Sequence, residues 1–322
     1  MIKMALTYDE IQSLTNKYIW PKVIDNAYKS NALFTRLYKK KVMVDGGEFL
    51  SIPLLYDDND AQGSYSGYDV LSTTPNEQIT AATFQWKQLY STLAFSGLEM
   101  IKNSGKFAVV NLLKSKRDNC VASLKYMIGT QVHSDGTGNG SKDVTGLKAV
   151  TAATGTSYGG ILDTDITSGL WLAKRDTSTT TLTLAAMTKL YGQATEDSNM
   201  PDLGITSQAV LDKYETLLQP QQRFTSSVEV DGGFHGLKFK GIPIVADSKT
   251  PGSGGGTEDN YLYFLNTKYL FWYTHPERDF YSRPKIEIAT QDAFVEQKLI
   301  AGNIACNNRR FQAVMTTIDP NL

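Results

Sequence analysis

Residues 42–86 read VMVDGGEFLSIPLLYDDNDAQGSYSGYDVLSTTPNEQITAATFQW, 45 residues with seven carboxylates (Asp45, Glu48, Asp57, Asp58, Asp60, Asp69, Glu77) and no Lys or Arg. The flanks are basic: residues 1–41 carry eight Lys/Arg against three acids, and residues 99–134 carry six against two. Opposite charge blocks inside a chain of formal net charge −1 suit surfaces that meet other copies of the same chain at short range.

The same stretch has the pattern of a hairpin. Gly46-Gly47 breaks what precedes it, and Glu48 to Tyr56 is extended, with Pro53 tolerable at a sheet edge. On the return, Phe84, Trp86, Gln88 and Tyr90 alternate with Gln85, Lys87 and Leu89 across Ala82 to Phe95. Between the strands runs a polar tract, Asp57 to Gln78. Two strands joined in this way are not stable alone in water, so the loop is expected to lie on a neighbour.

Upstream, Thr7 and Glu10 form a capping box for a helix to about Tyr18, Pro21 stops it, Val23 to Lys29 is a second piece, and Asn31 can cap a third reaching Lys39. Three short helices with little apolar surface predict an arm rather than a core. Downstream of Glu99 the period becomes helical: Phe107, Val110, Leu113, Cys120, Val121, Leu124, Met127 and Ile128 recur at steps of three and four. At about 1.5 Å per residue, Lys106 to His133 would be a rod of roughly 42 Å. DGTGNG at 135–140 ends it. A Thr/Ser/Gly-rich tract over 141–182 follows, then a helix from Leu184 to Glu196, a buried strand Leu203–Thr206, and a helix capped by Ser207 through Leu218. Further strands are expected at Leu237–Ala246 and Tyr261–Leu265, around the loop TPGSGGGT at 250–257. Ala293 to Ile318 is predicted to form long antiparallel strands under the rod. The fold class is α+β.

Near-zero net charge argues against a dedicated nucleic-acid binder. Cys120 and Cys306 have no paired spacing, so neither a disulfide framework nor a zinc site is indicated. No window approaches the ~20 apolar residues of a membrane span, and no signal peptide is visible at the N-terminus. Gly155-Thr156-Ser157-Tyr158-Gly159 fits the G-x-S-x-G nucleophile elbow, with His235 and His275 following in the right order. The elbow needs a helix straight after the serine, however, and Gly160, Ile161, Asp163 and Asp165 start one poorly. The loop at 135–140 resembles half an EF-hand, but its twelfth position is Gly146 instead of a bidentate Glu. His133, His235 and His275 are scattered. No catalytic, cofactor or metal constellation survives.

The order of basic helices, long polar hairpin, amphipathic rod, compact α+β region and returning strands resembles the major capsid proteins of tailed bacteriophages, whose fold is shared by encapsulins and the herpesvirus capsid floor domain. Carrying the resemblance are Tyr158-Gly159-Gly160-Ile161 with Trp171, Pro201-Asp202-Leu203 leading to Ser207-Gln208-Ala209-Val210 and Tyr214, Arg223-Phe224, Gly241-Ile242-Pro243-Ile244-Val245 with Asp247, Leu265-Asn266-Thr267, and Gly302-Asn303 with Arg309-Arg310. It implies an N-arm over 1–44, an E-loop over 45–95, a peripheral domain with a spine helix over 96–148, an axial domain over 149–282, and peripheral strands over 283–322. It also implies a structural, non-enzymatic virion protein, assembled in the host cytoplasm into pentamers and hexamers of an icosahedral head around DNA, which it touches non-specifically. An encapsulin-like cargo compartment is the nearest alternative, and a hydrolase using Ser157 a more distant one.

In that family the E-loop lies over the peripheral domain of the adjacent subunit. Here Asp57, Asp58, Asp60 and Asp69 of the loop are expected to meet Lys39, Lys40, Lys41, Lys114 and Arg117 of a neighbour's arm and spine, with Gly46, Gly47, Gly97 and Gly105 as hinges. Lys41 and Lys87 bracket a loop without lysine, so the lysine–asparagine cross-link of some members is not expected. Arm and loop account for the residues before the rod, so a separate scaffolding protein is expected beside a portal and a decoration protein. No membrane partner and no cofactor are implied.

Overall fold

The computed structural model describes residues 31–57, 59–102, 112–166, 169–218, 228–230, 234–252, 260–287 and 290–322. The first two expected helices, Asp58, Gly105, Phe107, Val110 and Arg223-Phe224 lie outside them.

Helix α1 (Ala32–Lys39) begins where its cap predicts, with Asn31 Oδ1 accepting a hydrogen bond from Phe34 N at 2.6 Å. Its role differs from the expected arm. Ala32, Leu33, Phe34 and Leu37 share one face and are buried. Phe34 packs edge-on against Trp272, with ring centroids 5.4 Å apart. Burying a large apolar side chain stabilises by about 1.5–3 kcal/mol, so a two-turn helix with such a face joins the core. Strand β1 (Val42–Met43) follows and pairs in parallel with residues 273–274.

The hairpin consists of β2 (Phe49–Leu55) and β3 (Ile79–Gln85), in register from Phe49↔Gln85 to Leu55↔Ile79. The expected return strand Ala82–Phe95 is split at Trp86, after which β4 (Lys87–Ser96) leaves the hairpin and pairs in another sheet. Next come α2 (Gly97–Lys102), the rod α3 (Leu112–Val132) and the short α4 (Leu147–Val150). Cys120, Leu124, Ile128 and Val132 are buried at steps of four, while Val121 and Met127 are only half-buried. The stripe that meets the core is therefore narrower than the periodicity suggested.

Two sheets organise the remainder. In one, β11 (Leu270–Thr274) and β12 (Tyr281–Glu287) lie end to end along one side of the 14-residue β13 (Ala293–Cys306), and β4 pairs with its other side. The other is ordered β5-β14-β10-β6-β9-β8-β7, from β5 (Lys174–Asp176), β6 (Leu203–Thr206), β7 (Val228–Val230), β8 (Phe234–Phe239), β9 (Ile242–Ala246), β10 (Asn260–Leu265) and β14 (Ala313–Ile318). Every residue of β10 is buried because this sheet is covered on both faces. Leu262 and Phe264 meet a cluster shared with α5 (Leu184–Gln193) and α6 (Gln208–Leu218), whereas Tyr263 and Leu265 join the main core with α1, α3 and the hairpin base.

Ala293 to Ile318 therefore does not pack as a unit under the rod. β13 does, but β14 pairs with β10 and β5 in the second sheet. Its five buried residues and half-buried Thr317 suit a strand covered on both sides rather than one. Ser207 stands directly before α6, its carbonyl accepting from Leu211 N at 3.1 Å, and its hydroxyl donates to buried Asn260 Oδ1 at 2.9 Å.

Candidate functional site: the hairpin and the exposed sheet face

The hairpin alternates strictly. Leu50, Ile52, Leu54, Ala82 and Phe84 are buried against the main core, and Phe49, Ser51, Pro53, Leu55, Ile79, Ala81 and Thr83 face outward. Its base rests on the turn Tyr158–Ile161. Thr83 N donates to Gly159 O at 2.8 Å, and the Phe84 ring meets Tyr158 at 5.1 Å. Gly159 has a φ of +63°, and a Cβ there would lie 2.9 Å from Ala82 Cβ and 3.0 Å from Phe84 Cζ. Only glycine meets both conditions without displacement. Trp86 Nε1 donates to Gly47 O at 2.9 Å and Asn303 Nδ2 to Gln85 O at 2.9 Å, fastening the hairpin root to β13.

That turn is itself fixed from within. Tyr158 OH accepts from Cys306 N at 3.0 Å, and Trp171 Nε1 donates to Tyr158 O at 3.1 Å. The fully buried Arg309 lies 5.0 Å from the Tyr158 ring centroid and donates to Val150 O at 2.7 Å, Trp171 O at 3.0 Å and Ala152 O at 3.5 Å. Its hydrogen-bond partners are backbone carbonyls. Burial lowers the Arg309 pKa and raises those of Tyr158 and Cys306, the thiol to about 12. Tyr158, Trp171 and Arg309 were legible as motif residues, but their joint support of the hairpin was not, because Arg309 reaches the other two from more than 130 residues away.

Beyond the base, residues 62–75 are exposed throughout. Asp60 and Asp69 are exposed, Asp57 is half-buried, and Asp69 Oδ2 accepts from Ser66 N at 2.7 Å in a local turn. Beside these acids stand Leu55, Tyr65, Tyr68, Val70, Leu71 and Ile79, all large, apolar and exposed.

The expected basic partners are distributed differently. Lys41 is ion-paired with Asp279 of its own chain, and Arg117 reaches Glu296 at 2.8 Å. Lys40 Nζ lies 3.5 Å from Thr267 Oγ1, while Lys39 and Lys114 are exposed on α1 and α3. Among the expected hinges, Gly46 (φ +120°) and Gly47 (φ +106°) have the backbone of glycine sites. At Gly97 an added Cβ would meet the carboxylate of the exposed Asp292 side chain.

An exposed face was not anticipated. On the side of β4, β13 and β12 away from α3, cross-strand rows run Tyr90–Leu299–Tyr281, Thr92–Gln297–Arg283 and Ala94–Val295–Ile286. The β4 and β12 members are exposed and the β13 members half-buried. Its signal was the alternation of β4, whose exposed positions include Tyr90. Pairing with β12 and β13 could not be read from the sequence.

Ser157 is exposed, and the residues after it form the tight Tyr158–Ile161 bridge rather than a helix, so the nucleophile elbow is not built. His275 caps a single 3-10 turn. The Asp135 carboxylate accepts from Thr137 N at 2.9 Å and Thr137 Oγ1 at 2.7 Å, which hold it below the usual carboxylate range inside its own turn. No helix among the described residues is long and apolar enough to cross a membrane.

No family model matches the chain, and no curated protein matches it. Solved structures do. The capsid asymmetric unit of cyanophage A-1(L) superposes with a TM-score of 0.69 at 15% identity, covering 95% of this chain and 98% of that one. The holo-SrpI encapsulin complex of Synechococcus elongatus PCC 7942 gives 0.66 at 10% identity over 99% and 98%. The capsid of Myoviridae phage XM1 gives 0.60 at 10% over 98% and 99%. Over nearly its whole length, the chain has the fold shared by these phage capsid proteins and the encapsulin.

Proposed function

We propose that this chain is the major capsid protein of a tailed phage. Copies assemble as pentamers and hexamers into an icosahedral head around the DNA genome, with the hairpin of one copy lying on the exposed face of β4, β13 and β12 of the next. In this reading residues 1–44 are the arm, anchored at α1 in the core, 45–95 the E-loop, 96–148 and 283–322 the peripheral region and 149–282 the axial one, with β11 and β14 crossing that division. The carrying observation is that one chain presents both a firmly rooted hairpin, exposed and both acidic and apolar toward its tip, and a sheet face that offers tyrosines, aliphatic residues and Arg283. Exposed apolar side chains gathered on one projecting element favour an interaction surface. Head-to-tail contacts of one kind close into rings.

Each exposed ion pair contributes at most about 1 kcal/mol, so the acids select register and partner while the apolar residues supply affinity. Lys41 and Arg117 already have intrachain partners, which moves the expected contact from the neighbour's arm and spine to its sheet face. A separate scaffolding protein, a portal and a decoration protein complete the assembly in the host cytoplasm, and DNA contact is non-specific.

Replacing Asp57, Asp60 and Asp69 together by Lys tests the contact. The triple variant should remain folded and fail to form closed shells, and Arg283→Glu should restore part of the assembly. Normal shells from the triple variant would contradict the loop's role. The encapsulin alternative rests on the 99% coverage by the encapsulin structure. It predicts shells that enclose protein cargo, whereas the phage reading predicts DNA.

A further inference from the structure

β11 ends with the pair Thr274↔Gly302 and β12 begins with Tyr281↔Leu299, so residues 275–280 of one edge stand opposite only residues 300–301 of β13. The excess chain forms the 3-10 turn Pro276–Arg278, with His275 Nδ1 accepting from Glu277 N at 3.2 Å. It rejoins the sheet through Phe280 at φ +51°. A bulky side chain in the left-handed region costs about 1–2 kcal/mol and persists only where its surroundings hold it.

What holds it is the end of α1. Tyr38 OH donates to Asp279 Oδ1 at 2.7 Å, and Lys41 is ion-paired with Asp279 and lies 3.1 Å from Tyr38 OH. The Tyr38 ring packs edge-on against Phe280 at 5.6 Å, and Lys125 of α3 lies 5.7 Å from the Phe280 ring centroid. The excursion also divides the sheet by burial. On one side Leu270, Trp272 and Thr274 of β11 and residues 300–306 of β13 are buried. On the other, every β12 residue whose exposure is described is exposed. β13 runs through both halves.

We propose that residues 275–280 are a pivot in this sheet and that Tyr38 and Lys41 form a strap that fixes its angle, so that releasing Asp279 lets the projecting half of β12, β13 and β4 tilt against the core. A loop of six residues opposite two supplies slack, the strained Phe280 supplies a preference for rearrangement, and contact with α1 supplies the restraint. Its use in letting one sequence occupy sites of different curvature rests on the shell reading above. The pivot itself does not.

The test places spin labels on Glu287→Cys at the end of β12 and Thr216→Cys on α6, with a control pair at Thr188→Cys and Thr216→Cys, in the full chain held as unassembled protein. The native Cys120 and Cys306 are buried. Distances are compared in the parent chain, in Asp279→Asn, in the double variant Tyr38→Phe with Lys41→Met, and in Phe280→Gly, with thermal melts to verify folding. The expected result is a shift of several ångströms or a clear broadening of the 287–216 distance in the strap variants, with the 188–216 distance unchanged. An unchanged 287–216 distance in folded Asp279→Asn overturns the pivot, and so does equal broadening of both pairs. Failure of the parent chain to form shells with its genomic neighbours would count against the capsid reading and leave the label distances to judge the pivot.

Discussion

Substituting Gly159 by Ala separates the two demands made on this glycine. Gly241 is the reference: its φ is +88° and a Cβ there meets nothing within 4 Å, so Gly241→Ala bears only the left-handed backbone cost of about 1–2 kcal/mol. Gly159→Ala bears the same cost at φ +63° and in addition forces contacts of 2.9 Å and 3.0 Å with Ala82 and Phe84. Overpacking of this kind costs about 1–3 kcal/mol. The turn cannot simply retreat, because Thr83 N is bonded to Gly159 O and Trp171 Nε1 to Tyr158 O. Gly159→Ala should therefore be less stable than Gly241→Ala by about 1–3 kcal/mol. Urea unfolding of the unassembled chain followed by tryptophan fluorescence, to which the buried Trp171 and Trp272 contribute, measures the difference. Limited proteolysis of residues 57–78 should also accelerate in Gly159→Ala alone, as the hairpin base loosens. Equal stabilities for the two variants would refute the claim that the Tyr158–Ile161 turn seats the hairpin.

Arg309→Leu should cost about 3 kcal/mol, since it leaves the buried carbonyls of Val150 and Trp171 without their donor at about 1–3 kcal/mol each while recovering part of the cost of burying the charge. A denaturation midpoint equal to that of the parent chain would show that those carbonyls find other partners. Cys306 should not react with a maleimide in the native chain at pH 8, because burial pushes its thiol up to about 12. In the unfolded chain it ionises near about 8.5, so this thiol's contribution to stability is present below that pH and is lost as pH rises toward 12, which alkaline melts of Cys306→Ala against the parent would reveal. Replacing both Gly46 and Gly47 by Val should impair shell closure, given their φ values of +120° and +106°, and normal shells seen by electron microscopy would remove them as hinges.

What the sequence disclosed was local. The Asn31 cap, strand β6, helix α6 and strand β2 follow from side chains a few residues apart and appear in the structure close to their expected limits, whereas the expected return strand Ala82–Phe95 is divided at Trp86 between the hairpin and the neighbouring sheet. Long-range pairing was not legible. β14 reads as the continuation of β13 but pairs with β10 and β5 in the other sheet, where Val314 joins the main core and Ala313, Met315 and Ile318 join the cluster with α5 and α6, all from elsewhere in the chain. Likewise Lys41 and Arg117 read as free cations for a neighbour, and each finds an acid more than 170 residues away. Helix α1 reads as part of an arm because three short helices in a row show little apolar surface. Its Leu33, Phe34 and Leu37 make one apolar face, and that face, rather than its length, decides its burial.

The most direct test of the central claim is negative-stain electron microscopy with size-exclusion chromatography of the chain expressed with and without its genomic neighbours. The account predicts rings, tubes or icosahedral shells, closed and uniform when a scaffolding protein is present. A stable monomer under every condition would contradict it.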